Sequence, residues 1–521
     1  MVDSTIFLSC TSQHTTRMAF NTLFSWFIKK RIHQIELFKK YPIEVQGELF
    51  PKLVDEAALT RFGLEHNFSN IRTLKDFKNA VPIRTYEEYK PYIDALREGE
   101  QNILWPSRLK WFAKSSGTTD ARSKFIPVSK EALEECHYKG GKDLLAMYYH
   151  QRPNAKLYTG KTLVMGGSSK INSFNEEGYT GDLSAIIIQN LPIWVELKRI
   201  PSRDIALMEN WDEKIEAMAA VAVEEDVSII AGVPSWTLVL LKRVMELRGT
   251  DNIRDVWPNL ELFMHGGVSF KPYREQFKKI IGGEMNYVET YNASEGFFAI
   301  QDRLDADDLL LMLDYGIYYE FLPIEELHSK NPKTIGLEEV EIGQKYAIII
   351  STNGGLWRYM VGDTVRFTSK FPFRVQVSGR TKHYINAFGE ELMVENSDYA
   401  IEMASMATGA HVLEYTAAPI FMGDDARGAH EWLIEFEKCP NDMEAFKKEL
   451  DAALKRVNTD YEAKRSFDLN LKAPVIREVP KGTFYNWLKH NGKLGGQHKV
   501  PRLSNERHIL EQVLNLSMAS I

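Results

Sequence analysis

The feature that most constrains this chain is an alternation of strand-like and helix-like segments between residues 160 and 290, without internal sequence repeats. There a short apolar run ends in glycine and is followed by a helical pattern. Thr162–Met165 runs into Gly166-Gly167, Val227–Ala231 into Gly232-Val233-Pro234, and Leu260–Met264 into Gly266-Gly267. Pro234 suits the first turn of a helix reaching Arg248, and a second helix is expected near Tyr273–Ile281 before an apolar run at Tyr287–Thr290. Strand–loop–helix alternation of this kind predicts an α/β fold with several parallel strands. Tyr346–Ile350 is a further β-prone run.

The texture changes after Phe373. Val375-Gln376-Val377 alternates and Gly379-Arg380 punctuates the chain. A helix near Asn396–Ala407, a strand near Trp432–Phe436 and a helix from Met443 to Tyr461 follow, the last with Phe446, Leu450 and Leu454 on its apolar face. A boundary near 378–382 therefore separates a large α/β part from a smaller α+β part. At the other end, residues 1–17 are rich in Ser and Thr and read as a disordered tail, a mis-called start or a targeting segment. From Met18 to Phe38 the apolar residues recur at helical spacing.

Composition excludes several classes. Sixty-four Lys+Arg against 71 Asp+Glu leave a net charge of −7, which gives no global argument for nucleic acid or a membrane surface. Three dispersed cysteines (Cys10, Cys136, Cys439) build neither a disulfide framework nor a metal site, and a cytoplasmic setting fits them. No apolar run reaches the roughly 18–20 residues that span a bilayer. No GxSxG, HExxH, P-loop or strand-linked GxGxxG occurs, which disfavours common hydrolases, P-loop kinases and nicotinamide enzymes.

Five segments remain as candidates. Ser115-Ser116-Gly117-Thr118-Thr119, with Lys124 behind, offers hydroxyls and closely approaching backbone N–H groups to a polyphosphate, or it is a polar surface turn. Tyr291-Asn292-Ala293-Ser294-Glu295 follows a strand; Glu295 could hold Mg²⁺ or orient a phosphate, or be a solvated strand-end residue. Asp363, after Gly362, could accept both ribose hydroxyls or be a turn aspartate. Arg380 could reach a nucleotide, with Lys382 at a hinge. Lys499, in Gln497–Arg502, is a candidate point charge for a phosphate or for a developing transition state, against the alternative of a solvated basic face.

Taken in this order, the five segments resemble the auxin-responsive promoter family of acyl acid–amido synthetases, within the adenylate-forming superfamily. The resemblance covers nearly the whole chain from Met18, and it departs at Lys382, where an Asp is usual. It implies an adenylate-forming N-terminal domain over 18–378, with mixed and parallel sheets, and a smaller mobile α+β domain over 379–521. It implies ATP and Mg²⁺, a carboxylic acid and an amino acid as small-molecule substrates, and no obligate protein partner. The reaction would make an acyl-adenylate and then an amide. A thiol acceptor, or a nucleotide-binding protein without turnover, are the alternatives.

The site residues follow from the same resemblance. Ser115, Ser116, Gly117, Thr118 and Thr119 would face phosphates. Glu295 would hold the metal and, with Lys499, act in catalysis. Asp363 would take the ribose, and Gly266, Gly267 and Val268 would edge the adenine. Tyr291 would pack on the base, unless it is a core aromatic. Asn292, Ala293, Ser294 and Arg380 complete the nucleotide set. Gly140, Asp143, Leu144, Val233 and Trp236 would line the acyl pocket.

Overall fold

The computed structural model describes residues 28 and 30–519, apart from 117–122, 167–170, 174–177, 209, 268–269, 271–272, 328, 381–383, 422–426, 466–470 and 492–499. Helical turns cover residues 30–40, with Ile35 and Phe38 buried and Ile32 half-buried, and the rest of the helix expected from Met18 lies outside the described residues.

Two sheets form the body. A small sheet, ordered β2-β1-β5-β4, holds the antiparallel hairpin β1 (Trp111–Ser116) and β2 (Ser123–Val128), with β4 (Asn172–Ser173) and β5 (Tyr179–Gly181) alongside. The large sheet has eleven described strands. One half is parallel, in the order β6 (Arg199–Ile200), β3 (Lys161–Val164), β7 (Val227–Gly232), β8 (Leu262–Gly266) and β9 (Asn286–Ala293). The other half is antiparallel: β9 pairs with β10 (Gly296–Ile300), followed by β11 (Leu309–Leu311), β15 (Phe373–Arg380), β14 (Tyr359–Lys370), β13 (Lys345–Thr352) and β12 (Ile317–Pro323). The sheet is thus mixed, and β9 is the strand where the pairing mode changes.

The expected helix at Pro234–Arg248 forms with those bounds, because Pro234 opens it and Gly249, at φ 71°, closes it in the left-handed region. The helix expected over Met443–Tyr461 is instead two, Met443–Val457 and Thr459–Arg465. Asn458 breaks it. Its extended backbone (φ −137°, ψ 107°) lets the side chain accept from the Tyr461 N–H at 2.8 Å while donating to the Glu390 and Glu391 carbonyls at 3.0 and 3.2 Å.

After β15 the chain enters an α+β unit. Its sheet orders β18 (His411–Ile420), β19 (Ala429–Lys438) and β20 (Val475–Val479), with helices such as Val394–Thr408 packed against it; β16 (Tyr384–Ile385) and β17 (Leu392–Met393) form a small ladder before it. The two parts share apolar core. One cluster joins Leu163, Trp236, Phe263 and Tyr273 of the body to Phe388, Tyr415 and Trp432 of the α+β unit. No helix among the described residues is long and apolar enough to cross a membrane.

Candidate active site

The site grows from β9. Its C-terminal end turns through Ser294-Glu295 into β10, with Ala293 opposite Gly296. Tyr291 points its ring into the core against Phe298, centroids 4.9 Å apart, and its hydroxyl donates to Asp363 Oδ2 at 2.7 Å. Asp363 is not in a turn. It lies within β14, opposite Arg380 on β15, and is buried; the preceding Gly362 takes φ 96°, a conformation that glycine adopts without a Cβ penalty. Glu295 is half-buried, with the Tyr359 hydroxyl 3.4 Å from its Oε1. The second, third and fourth candidate segments therefore converge: the tyrosine of one fixes the carboxylate of the next, and that carboxylate's residue pairs with the arginine residue of another.

The parallel half brings glycines to the same strand. Gly266 ends β8, and a Cβ there would lie 2.6 Å from the Thr290 carbonyl oxygen, so the backbones of β8 and β9 close up only on glycine. Gly267 has φ 82° and lies near Val233, the half-buried residue that opens the helix Pro234–Arg248. Asn386 Nδ2 donates to the Gly267 carbonyl at 3.2 Å, the Trp236 indole N–H to the Phe388 carbonyl at 3.2 Å, and the Tyr273 hydroxyl to the Ala387 carbonyl at 2.6 Å. The segment 386–388 is thus laid across the ends of β7 and β8. Trp236 faces the α+β unit, with the Lys464 ammonium 3.8 Å from its ring centroid. Burial lowers the pKa of Lys464.

Ser115 and Ser116 are the last residues of β1, opposite Lys124 and Ser123 of β2. The loop they enter, with Gly117, Thr118 and Thr119, lies outside the described residues, as does Val268. Lys499 is also outside. The chain just beyond it is anchored, since Val500 is buried, the Thr416 hydroxyl donates to the Pro501 carbonyl at 2.7 Å and the Ala417 N–H to the Arg502 carbonyl at 2.8 Å.

Gly140, Asp143 and Leu144 sit on the helix Tyr138–Gln151. The Phe297 ring covers Gly140, where a Cβ would meet it at 2.6 Å. Asp143 is buried and accepts from Arg31 at 2.6 and 2.7 Å and from the Tyr315 hydroxyl at 2.7 Å. Burial raises its pKa against the pull of Arg31. Leu144 is in the core. Arg31, which also binds Asp314 at 2.7 Å, carried no signal in the sequence: 112 residues separate it from Asp143. Arg358 opens the Arg358–Asp363 segment singled out in the sequence, but its partners carried no signal there. It sits just before Tyr359 at φ 47°, holds Glu320 through Nε at 3.0 Å and Nη2 at 3.2 Å, and donates to the Val81 carbonyl at 2.7 Å.

Known proteins supply the frame for this geometry. Three domain models match in chain order: the GH3 family N-terminal domain over residues 31–285, the central domain over 310–380 and the C-terminal domain over 395–508. The chain belongs to the GH3 family. Among similar proteins, an indole-3-acetic acid-amido synthetase of Arabidopsis thaliana is 24% identical, over 93% of this chain and 92% of that protein. A jasmonoyl–L-amino acid synthetase of Nicotiana attenuata is 23% identical, over 90% and 92%. In structure, an acyl acid amido synthetase in complex with 2,4-DB matches at TM-score 0.58 and 17% identity, over 91% of this chain and 93% of that one. A 2-hydroxyisobutyryl-CoA ligase matches at 0.59 and 12%, over 92% and 93%, and at these identities the likeness is one of fold.

Proposed function

We propose that this GH3 family member is an acyl acid amido synthetase. A carboxylic acid attacks the α-phosphorus of ATP, giving an acyl-adenylate and pyrophosphate. An amino acid amine then attacks the activated carbonyl, forming an amide and releasing AMP. The observation that carries this reading is the Tyr291–Asp363 hydrogen bond, which ties a buried carboxylate of β14 to β9, the strand where the pairing mode of the sheet changes. In open α/β sheets, ligands bind outside the carboxyl ends of the strands, and Tyr291 lies near that end of β9.

Asp363 accepts the ribose hydroxyls, and Tyr291 holds it in place. Ser115, Ser116, Gly117, Thr118 and Thr119 take the phosphates. Gly266, Gly267 and Val268 edge the base, with Asn292, Ala293, Ser294 and Arg380 around the nucleotide. Lys499 offsets the charge that develops as two anions are brought together. Glu295 is a single carboxylate, and no group of three His, Cys, Asp or Glu that could hold a metal occurs among the described residues. That donor set fits Mg²⁺, which is commonly held by one or two carboxylates with phosphate oxygens and water, and which would supply further neutralisation of the triphosphate. Gly140, Asp143, Leu144, Val233 and Trp236 line the acyl side, the last two beside the α+β unit, which we assign as the mobile lid. The setting is the cytoplasm.

The test is acid-dependent exchange of labelled pyrophosphate into ATP across aryl, indolyl and fatty acids, followed by mass detection of an amide when amino acids are added. Exchange followed by an amide is expected. Exchange followed only by a coenzyme A thioester would make the protein a thioester-forming ligase, and tight nucleotide binding without exchange would make it a protein without turnover.

A further inference from the structure

Beside Ser294 and Glu295, which carry the nucleotide and metal roles above, lies a recess whose other walls have been given no role. Its walls include Val128 at the root of the β1–β2 hairpin, Ile317, Leu356, Ser294 and Glu295, and it has room for about one water-sized group. His137 lines it. The imidazole is 6% exposed, and its Nδ1 is buried with no hydrogen-bond partner among the described residues. A buried nitrogen left in that state costs about 1–3 kcal/mol, so a packed core would favour an apolar residue of similar size at this position.

The surroundings hold the ring in place. Ala132–His137 forms a π-helical turn, a rare local geometry that often marks functional positions. That turn is tied to the Glu295 hairpin, because the Phe297 N–H donates to Cys136 Sγ at 3.1 Å. It is tied to the opposite wall as well: the Ser129 hydroxyl donates to the Asn353 carbonyl at 2.8 Å and Asn353 Nδ2 to Glu135 at 3.4 Å. The neighbours are braced while the imidazole nitrogen is left unanswered. Burial also lowers the His137 pKa to about 4, so the ring is neutral near pH 7. A neutral imidazole carries one N–H donor and one acceptor nitrogen, so Nδ1 can answer a hydroxyl or an amine in either role.

We infer that His137 is a specificity-determining residue whose Nδ1 hydrogen-bonds a hydroxyl or N–H substituent on the acyl chain of the acid substrate, lodged in this recess. The inference rests on the amido synthetase reading. A site built to hydrogen-bond such a group discriminates against the analogue that lacks it, because its own polar atom is then stranded.

The test uses the full-length protein and pyrophosphate exchange with acids in matched pairs that differ by one hydroxyl or N–H. For at least one position of substitution the hydroxylated or aminated acid should be preferred by roughly 10–100-fold in kcat/KM. H137F should abolish that preference through a higher KM for the substituted acid, with Tm equal to or above that of the parent protein. H137N and H137Q, which keep a polar atom, should restore part of the preference and stand in if H137F does not fold. An unchanged preference in these variants, or no preferred pair, overturns the inference and leaves an ordered water as the occupant. A fall in Tm on H137F with the preference intact makes His137 a packing residue. Absence of exchange with every acid overturns the parent reading instead.

Discussion

The two halves of the large sheet reach the same strand by different means. The parallel half delivers backbone: β7 and β8 stop at Gly232 and Gly266, where small residues let neighbouring chain close in. The antiparallel half delivers side chains, with Glu295 at a hairpin turn and Asp363 inside a twelve-residue strand. It also carries its own buried ion pair, Arg358–Glu320, under the strands that hold them. The comparison separates two kinds of buried charge. Arg358 and Glu320 answer each other with two hydrogen bonds and serve packing, whereas Asp363, on β14, accepts from the phenol of Tyr291 on the switch strand β9. Burial alone does not mark a site; the chemistry of the partner and the place in the topology do.

That contrast can be broken or sharpened by substitution. The largest effect is expected at Arg358→Met, which takes from buried Glu320 its bidentate partner and leaves it the Thr334 hydroxyl and, at 3.7 Å, Lys78: unfolding in urea should show a loss of about 3–5 kcal/mol, and a loss below about 1 kcal/mol would mean that the pair does not hold the antiparallel half. Next comes Lys499→Ala, in neither half, which should slow adenylation by about 10²–10³-fold with little change in unfolding midpoint. Near-normal exchange in that variant would leave the chemistry to the sheet alone. Gly266→Val should cost roughly 1–3 kcal/mol of stability, because its Cβ would press on backbone rather than on a movable side chain, and it should weaken ATP binding measured by calorimetry. The smallest effect is expected at Tyr291→Phe, which keeps the ring against Phe298 and removes the hydroxyl: ATP affinity should fall about 5-fold, roughly 1 kcal/mol, with stability nearly unchanged. Unaltered affinity would detach Tyr291 from the placement of Asp363.

The same contrast explains what could be read from the sequence. The parallel half was legible because its signals are local: an apolar run, a terminating glycine, and for the helix Pro234–Arg248 a proline and a glycine at its ends. In the antiparallel half β10 and β12 are buried on almost every residue, so neither alternates and neither stands out from other apolar stretches. Asn458 could not be recognised as a break, because the carbonyls it binds belong to residues 67 and 68 positions earlier. At the candidate site the order of the five segments was legible and the bonds between them were not. Nothing in Tyr291 as a letter tells that its hydroxyl meets a carboxylate 72 residues away. His137 carries no motif at all, and its interest arises only from a ring nitrogen left unanswered after folding.

The apolar cluster that runs from Trp236 and Tyr273 to Phe388 and Trp432 has a practical consequence. Cutting the chain between 380 and 384 would leave each fragment with a naked greasy wall where the other had been. Halves produced separately should clump, and should regain solubility when made together in one cell.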